Sequence, residues 1–376
     1  MLRIAPKGVR NAVIISGGFK ETGRESAQLE KDVVSTARKY GIRIIGPNCI
    51  GVLDTRSGLD SFFQPHDRMI RPSAGGVSFI TQSGTVGCTL LEWAAEQGVG
   101  ISKFASYGNR CDVDEGDLVE YFSMDDDTEI VVIYIEGLSN GRKLFEAASR
   151  ISKKKPVVVL KAGATQLGSV AARSHTGALG GPQPVALAAF EQAGMIVAHN
   201  VEELFDIVKA LAKQPMPICE GVVMVTNGAG PVVMAADKFE EYGVEIAKLS
   251  KPTLEALRKE LPPYCYISET TIDLTGSATS KDYETALRIA AKDDSVGLLA
   301  SFFVFQDPPL DEGILRVMPE ILKLGKPVLC CASGGPYTRK QVGVLENQTV
   351  PVYETGERLA TAAHALMTIR DLQSKQ

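Results

Sequence analysis

The feature that most constrains this chain is a unit that recurs along its 376 residues: a short apolar run, a Gly-rich turn, then a segment of helical period. The runs fall at residues 12–16, 43–46, 77–81, 130–135, 156–161, 222–226, 296–301 and 328–331. They are continuous rather than alternating, as in strands buried on both faces of a parallel sheet. Helical segments at 85–97, 142–153, 231–242 and 253–261 sit between them. Strand–helix alternation of this kind predicts doubly wound α/β layers. A hydrophobic fraction of 44% supplies a large core for them.

Two polar stretches without periodicity break the rhythm. Residues 65–76 hold Pro65 and Pro72, and residues 213–221 hold Pro215 and Pro217. Both read as linkers. They predict pieces at 1–68, 74–212 and 218–376. The first is too short for a complete nucleotide-binding domain and opens on a strand. It reads as the second half of a domain.

Charge and composition narrow the function. A formal net charge of −5 argues against a duplex nucleic-acid binder, which needs a basic face. No apolar run of about 18 residues predicts a membrane span. The first residues are no secretion signal, because Pro6 breaks a short apolar stretch. Seven cysteines, an odd number with no C-x-x-C pair, fit a reducing cytosol and a cytoplasmic protein. Cys330 and Cys331 are strand neighbours that point to opposite faces, so they read as packing. The four histidines show no metal-ligand spacing, and no metal is expected on this chain.

Ligands of parallel α/β sheets gather where strands end and helices begin. Helix N-termini there hold anions through unpaired N–H groups and the dipole. Gln82-Ser83-Gly84-Thr85 is such a turn, and the hydroxyls of Ser83 and Thr85 add donors for a phosphoryl group. Residues 226–231, Thr-Asn-Gly-Ala-Gly-Pro, repeat the form, with Pro231 suited to a first helical turn. Either turn, taken singly, is equally an ordinary strand-to-helix connection. Residues 163–169 have the glycine spacing of a Walker A loop, but Ser169 stands where the lysine would be. The sequence holds no full G-x-G-x-x-G either.

Two side chains suit group transfer. His175 lies in Ser174-His175-Thr176-Gly177-Ala178-Leu179-Gly180-Gly181, among small residues that let backbone approach a ligand. It reads as a nucleophile or as a histidine on a surface loop. Glu136 ends the apolar run 130–135 and precedes Gly137, at the edge where ligands collect. Its carboxylate suits a partner that orients the imidazole and fixes its tautomer, or equally a helix cap or salt bridge.

Taken in order, these stretches resemble the nucleoside-diphosphate-forming acyl-CoA synthetases of the succinyl-CoA-synthetase-like superfamily. Residues 74–212 carry Ser78-Phe79-Ile80-Thr81-Gln82-Ser83-Gly84, Ser106-Tyr107-Gly108-Asn109 with Asp112, Tyr134-Ile135-Glu136-Gly137, residues 155–163 and the His175 loop. Residues 1–64 resemble the C-terminal half of the family's CoA-binding domain through residues 15–21 and Gly46-Pro47-Asn48-Cys49-Ile50-Gly51. Residues 218–376 resemble its third domain through residues 226–231 and Ile272-Asp273-Leu274-Thr275-Gly276. The resemblance implies a partial Rossmann-like CoA-binding domain followed by two flavodoxin-like, succinyl-CoA-synthetase-like domains.

It also implies an ADP-forming acetate–CoA ligase alpha subunit. Such an enzyme runs acyl-CoA + ADP + phosphate ⇌ carboxylic acid + CoA + ATP, through an acyl phosphate and a phosphohistidine. By position, His175 matches the phosphorylated histidine and Glu136 its carboxylate partner. Ser83, Gly84 and Thr85 match the helix start that receives the phosphoryl group, and Ser16, Gly17, Gly18, Pro47 and Asn48 match what remains of the CoA site. The resemblance places ATP/ADP and Mg2+ on a partner, the ATP-grasp beta subunit, in an α2β2 heterotetramer. The family's first βα unit has no counterpart before residue 11, which implies a fragment, a mis-set start or a divergent protein. Two other readings share these domains. One is a non-catalytic acyl-CoA-sensing module. The other is a succinate–CoA ligase alpha subunit, which resembles only the first two pieces.

Overall fold

The computed structural model describes residues 7–163, 165, 167–168 and 183–374. They form two compact units, residues 1–204 and 205–376, with the boundary inside one helix.

The first unit opens with β1 (Asn11–Val13), helix α1 (Arg24–Lys39) and β2 (Arg43–Ile45). The two strands pair in parallel as a small sheet of their own. Next come β3 (Val52–Asp54), β4 (Leu59–Asp60), β5 (Ala74–Thr81), α2 (Gly84–Glu96), β6 (Ile101–Ser106) and α3 (Glu115–Ser123). The unit continues with β7 (Ile130–Ile135), α4 (Gly141–Ile151), β8 (Val157–Lys161), α5 (Gln183–Gln192) and β9 (Ile196–Ala198). Helix α6 (Val201–Lys213) crosses the boundary.

Seven of these strands form one sheet in the order β4-β3-β6-β5-β7-β8-β9. The run from β6 to β9 is parallel throughout. Every residue of β6, β7 and β8 is buried. That is why their sequences are unbroken apolar runs. The order turns back on itself between β5 and β7, and this reversal opens a crevice at their carboxyl ends.

Residues 52–60, which the sequence groups with the first piece, form the antiparallel edge of this larger sheet. The stretch that reads as a linker is pinned to that edge. Arg71 donates to Asp60 Oδ2 at 2.8 Å and to the carbonyls of Gln64 and Met69, and Met69 is buried.

The second unit repeats the plan. It holds β10 (Val222–Thr226), α7 (Ala229–Tyr242), α8 (Lys251–Glu260), β11 (Tyr266–Ile267), β12 (Thr271–Asp273) and α9 (Ser280–Ala290). These lead to β13 (Leu298–Phe303), α10 (Ile314–Leu322), β14 (Val328–Ala332), α11 (Pro336–Asn347), β15 (Val352–Tyr353) and α12 (Gly356–Ser374). The sheet order is β11-β12-β10-β13-β14-β15, parallel except for β11. Cys330 and Cys331 are both buried in β14. Among the described residues, no helix is long and apolar enough to cross a membrane.

One buried ionic cluster braces this unit. Glu346 receives Lys209 Nζ at 2.9 Å and Lys213 Nζ at 2.5 Å, with all three side chains under a tenth exposed. Glu346 also accepts the N–H of Val352 at 2.7 Å. Replacing Glu346 by Leu strands two ammonium groups in the interior, which costs about 3–5 kcal/mol. Urea denaturation of the full chain is expected to show a loss of that size, and an unchanged midpoint would contradict it.

Candidate active site

The proposed CoA residues lie where β1 and β2 end. The sharp turn after β2 has a cis Gly46-Pro47 bond and a left-handed Asn48 at φ 59°. The N–H of Asn48 donates to the carbonyl of Ser16 at 3.0 Å, and the N–H of Cys49 to that of Ile15 at 3.3 Å. Ser16, Gly17 and Gly18 therefore sit beside Pro47 and Asn48. The first three are exposed and Pro47 is buried.

Gly108 fits under this turn only because it lacks a side chain. A Cβ there would come within 2.1 Å of the Asn48 carbonyl oxygen and 2.3 Å of that of Pro47. That close approach lets the N–H of Asn109 reach the carbonyl of Pro47 at 2.9 Å.

Asn109, 5% exposed, ties the turn to the rest of the cradle. Its amide donates to Glu21 Oε2 at 2.6 Å and Glu30 Oε2 at 3.0 Å. Lys20 donates to the Asn109 carbonyl and pairs with Glu30 at 3.3 Å. Glu21 Oε1 accepts the N–H groups of Gly18 at 2.6 Å and Phe19 at 3.1 Å. Burial works against ionising Glu21, but the Asn109 amide and these N–H groups outweigh it and hold its carboxyl below the usual glutamate range.

The second group lies at the crevice between β5 and β7. Ser83 caps α2, its hydroxyl accepting the N–H of Val86 at 3.4 Å. The other N–H groups of that first turn lack intrahelical acceptors, as at any helix start. Ser83 and Gly84 are half-buried and Thr85 is exposed. Ile50, two residues past Asn48, packs on Gly84, where a Cβ would fall 2.6 Å from its Cγ2. The turn that carries Pro47 and Asn48 therefore continues directly into the α2 helix start.

Glu136 sits across the crevice, one residue past β7. Its backbone is fixed by buried side chains. Gln82 Oε1 accepts the N–H of Glu136 at 2.9 Å and of Gly137 at 3.1 Å. Lys161 donates to the Glu136 carbonyl at 3.3 Å, and Arg110 to the Gly137 carbonyl. Glu115 accepts the N–H of Ser139 at 3.2 Å.

Arg110 has a left-handed backbone at φ 50° and lies 3.7 Å from Glu115. Burial pushes the Glu115 carboxyl up, against the pull of Arg110. The Tyr107 hydroxyl, beside this pair, is fully buried without a hydrogen-bond partner among the described residues.

The structure thus brings Ser16, Gly17, Gly18, Pro47, Asn48, Ser83, Gly84, Thr85 and Glu136 to one end of one unit. His175 lies outside the described residues. Sequence reasoning quoted Glu21, Gln82, Asn109 and Lys161 within its motifs but gave their side chains no role, and it did not single out Arg110 or Glu115. Lys161 carried the same signal as Glu136, a charge closing an apolar strand. The others hold backbone groups from across the fold, which spacing along the chain does not encode. Among the described residues, no group of three or more His, Cys, Asp or Glu side chains is placed to hold a metal.

Two parallel-sheet units with strand-to-helix turns at their switch points define a doubly wound α/β class, and comparison with known proteins narrows it. Residues 74–211 match the family described as succinyl-CoA ligase like flavodoxin domain. The acetate–CoA ligase (ADP-forming) II subunit alpha of Pyrococcus furiosus is 38% identical over 373 residues, covering 98% of this chain and 80% of that protein. The 4-hydroxybutyrate–CoA ligase (ADP-forming) of Nitrosopumilus maritimus is 31% identical over 376 residues, covering 97% of this chain and 52% of that protein. A solved structure of Ca. Korarchaeum cryptofilum dinucleotide-forming acetyl-coenzyme A synthetase 1, in complex with phosphate and ADP, superposes with a TM-score of 0.92 at 34% identity, covering 99% of this chain and 80% of that one. The chain belongs to the family of ADP-forming acetate–CoA ligase alpha subunits.

Two outcomes test the bracing. Arg110→Met leaves Glu115 buried beside an uncovered carbonyl and is expected to destabilise the chain by about 3–5 kcal/mol, read as a lowered thermal midpoint. For Glu21, the lowered pKa makes its bonds to Gly18 and Phe19 fully effective above the ordinary glutamate value, and they are lost as pH falls through the depressed one. The amide resonances of Gly18 and Phe19 should hold steady down to that range and then move. Glu21→Gln should flatten the titration.

Proposed function

We propose that this chain performs the acyl-CoA half of an ADP-forming acid–thiol ligase and carries the phosphoryl group away on His175. The observation that carries the reading is the facing of Ser83 and Glu136 across the β5–β7 crevice, with the Pro47–Asn48 turn adjoining the same helix start.

In this reading CoA lies along Ser16, Gly17, Gly18, Pro47 and Asn48. Inorganic phosphate attacks the thioester carbonyl, the C–S bond breaks, and CoA leaves as thiolate with an acyl phosphate formed. A ring nitrogen of His175 then attacks phosphorus. The P–O bond to the acyl oxygen breaks and the carboxylic acid departs as carboxylate. The transferred group sits against the first N–H groups of α2 and the hydroxyls of Ser83 and Thr85, which match its charge without a proton transfer. Glu136 accepts the N–H of the other ring nitrogen and so holds the tautomer that attacks. Imidazole is both nucleophile and leaving group, so the step runs in either direction.

The second half passes the phosphoryl group from His175 to ADP. We assign ADP/ATP and Mg2+ to an ATP-grasp beta subunit, in an α2β2 assembly with this chain. The second unit offers a matching turn at Thr226–Pro231, the start of α7. Relatives are named for acetate and for 4-hydroxybutyrate. The acid taken by this chain is accordingly a small carboxylic acid, with acetate the first to test.

Labelling tests the reading. With acetyl phosphate carrying radioactive phosphorus, or with labelled ATP and a beta partner, the chain should take up label that is stable to base and lost in acid. His175→Ala should abolish it. Glu136→Gln should slow it by about 10²–10⁴-fold. Normal labelling of the His175→Ala variant would overturn the assignment.

A further inference from the structure

Lys161 closes β8 and is 6% exposed. An ammonium has three N–H donors. Two of them reach the carbonyl oxygens of Glu136, at 3.3 Å, and Ala162, at 3.1 Å. Its pKa is lowered by burial, with no nearby carboxylate contributing. A buried ammonium that is not neutralised by an acid is costly. Gln82, Arg110 and Glu115 already hold the same turn, so bracing alone does not require a charge at residue 161.

Lys161 also borders a cavity of about 210 Å³. The side chains of Leu138, Phe145, Val185, Ala189 and Phe190 line it with hydrocarbon, and Lys161 is the cation among the described residues that line it. One charged donor in an apolar chamber fits a ligand with one anionic head and a short hydrocarbon body. A phosphate ion fits poorly, because its charge calls for several converging donors. A chamber this size is smaller than the usual drug-sized pocket and suits an acid of a few carbons. His175 lies between Lys161 and Val185 in sequence, so the wall residues flank the proposed nucleophile on both sides along the chain.

We propose that this cavity is the subsite for the organic acid, with the carboxylate on Lys161 and the hydrocarbon body against Phe145, Phe190, Leu138 and Val185. The inference rests on the ligase reading and deepens it by locating the acid. Chain length and branching are then sensed by these four side chains and by Ala189, which lines the same cavity.

Ligand-detected NMR on the full chain tests it, with acetate, propionate, butyrate and isobutyrate as probes and inorganic phosphate as competitor. Wild type should bind the acids, with affinity rising about fourfold per added methylene until the chamber is full. Phosphate should not displace them. Lys161→Met, which keeps the length and removes the charge, should weaken binding by about tenfold or more in the folded variant. Ala189→Met should exclude isobutyrate more than acetate. Failure of every acid to bind wild type, or equal binding by the Lys161→Met variant, would overturn the subsite. If Lys161→Met does not fold, unchanged isobutyrate binding by Ala189→Met overturns it instead. His175 labelling separates the two claims. Normal labelling with no Lys161-dependent binding removes the subsite and leaves the ligase reading intact, whereas Lys161-dependent binding with labelling unaffected by His175→Ala removes the ligase reading and keeps the subsite.

Discussion

The carboxamide of Gln82 is the contact on which the site depends. It reaches from the end of β5 to the two N–H groups that follow β7, and so fixes the crevice where the strand order reverses. A doubly wound sheet leaves such a crevice open by topology, but topology sets neither its width nor the direction of the loops beside it. Here one buried oxygen does so. The residue after it, Ser83, caps the opposing helix, so the acceptor of one wall and the cap of the other are chain neighbours. Arg110, Glu115 and Lys161 complete the hold on residues 136–139 from three other elements. Buried polar groups of this kind are stabilising only when each is matched, and this turn's carbonyl and amide groups are matched by side chains that the interior keeps in place.

Apart from their antiparallel edges, the large sheets of both units share one order, β6-β5-β7-β8-β9 and β12-β10-β13-β14-β15, in which the first strand of each set lies between the second and the third. Each sets a Gly-rich turn at the matching place. In the second unit, Asn227 bonds the N–H of Val304 and receives the Tyr283 hydroxyl, which fixes the turn before α7 much as Gln82 fixes residues 136–137. The units share an architecture and a device, a carboxamide at a strand end that ties the neighbouring strand's exit.

Much of this architecture was legible in the sequence. The unbroken apolar runs at 130–135 and 222–226 coincide with β7 and β10, because strands buried on both faces admit no polar alternation. The positions of Ser83 and Glu136 at strand ends followed from the runs at 77–81 and 130–135. What spacing did not disclose was pairing across distance. Residues 52–60 are too short and mixed to announce themselves as an antiparallel edge, and Arg71 holds residues 65–71 to that edge by side-chain bonds rather than by any regular element. Asn109 and Arg110 lie in a turn whose composition reads as loop. Their roles come from Gly108, which admits the neighbouring backbone, and from the left-handed conformation at Arg110.

Ile50 resting on Gly84 has a mechanical outcome. The loop that would grip the thiol carrier and the helix end that would receive phosphorus are in direct van der Waals contact, with no room even for a methyl group between them. Neither can wander without pushing the other. Selection acting on how tightly one substrate is held would therefore also retune the reach of the other, and the two affinities would be expected to drift together rather than apart.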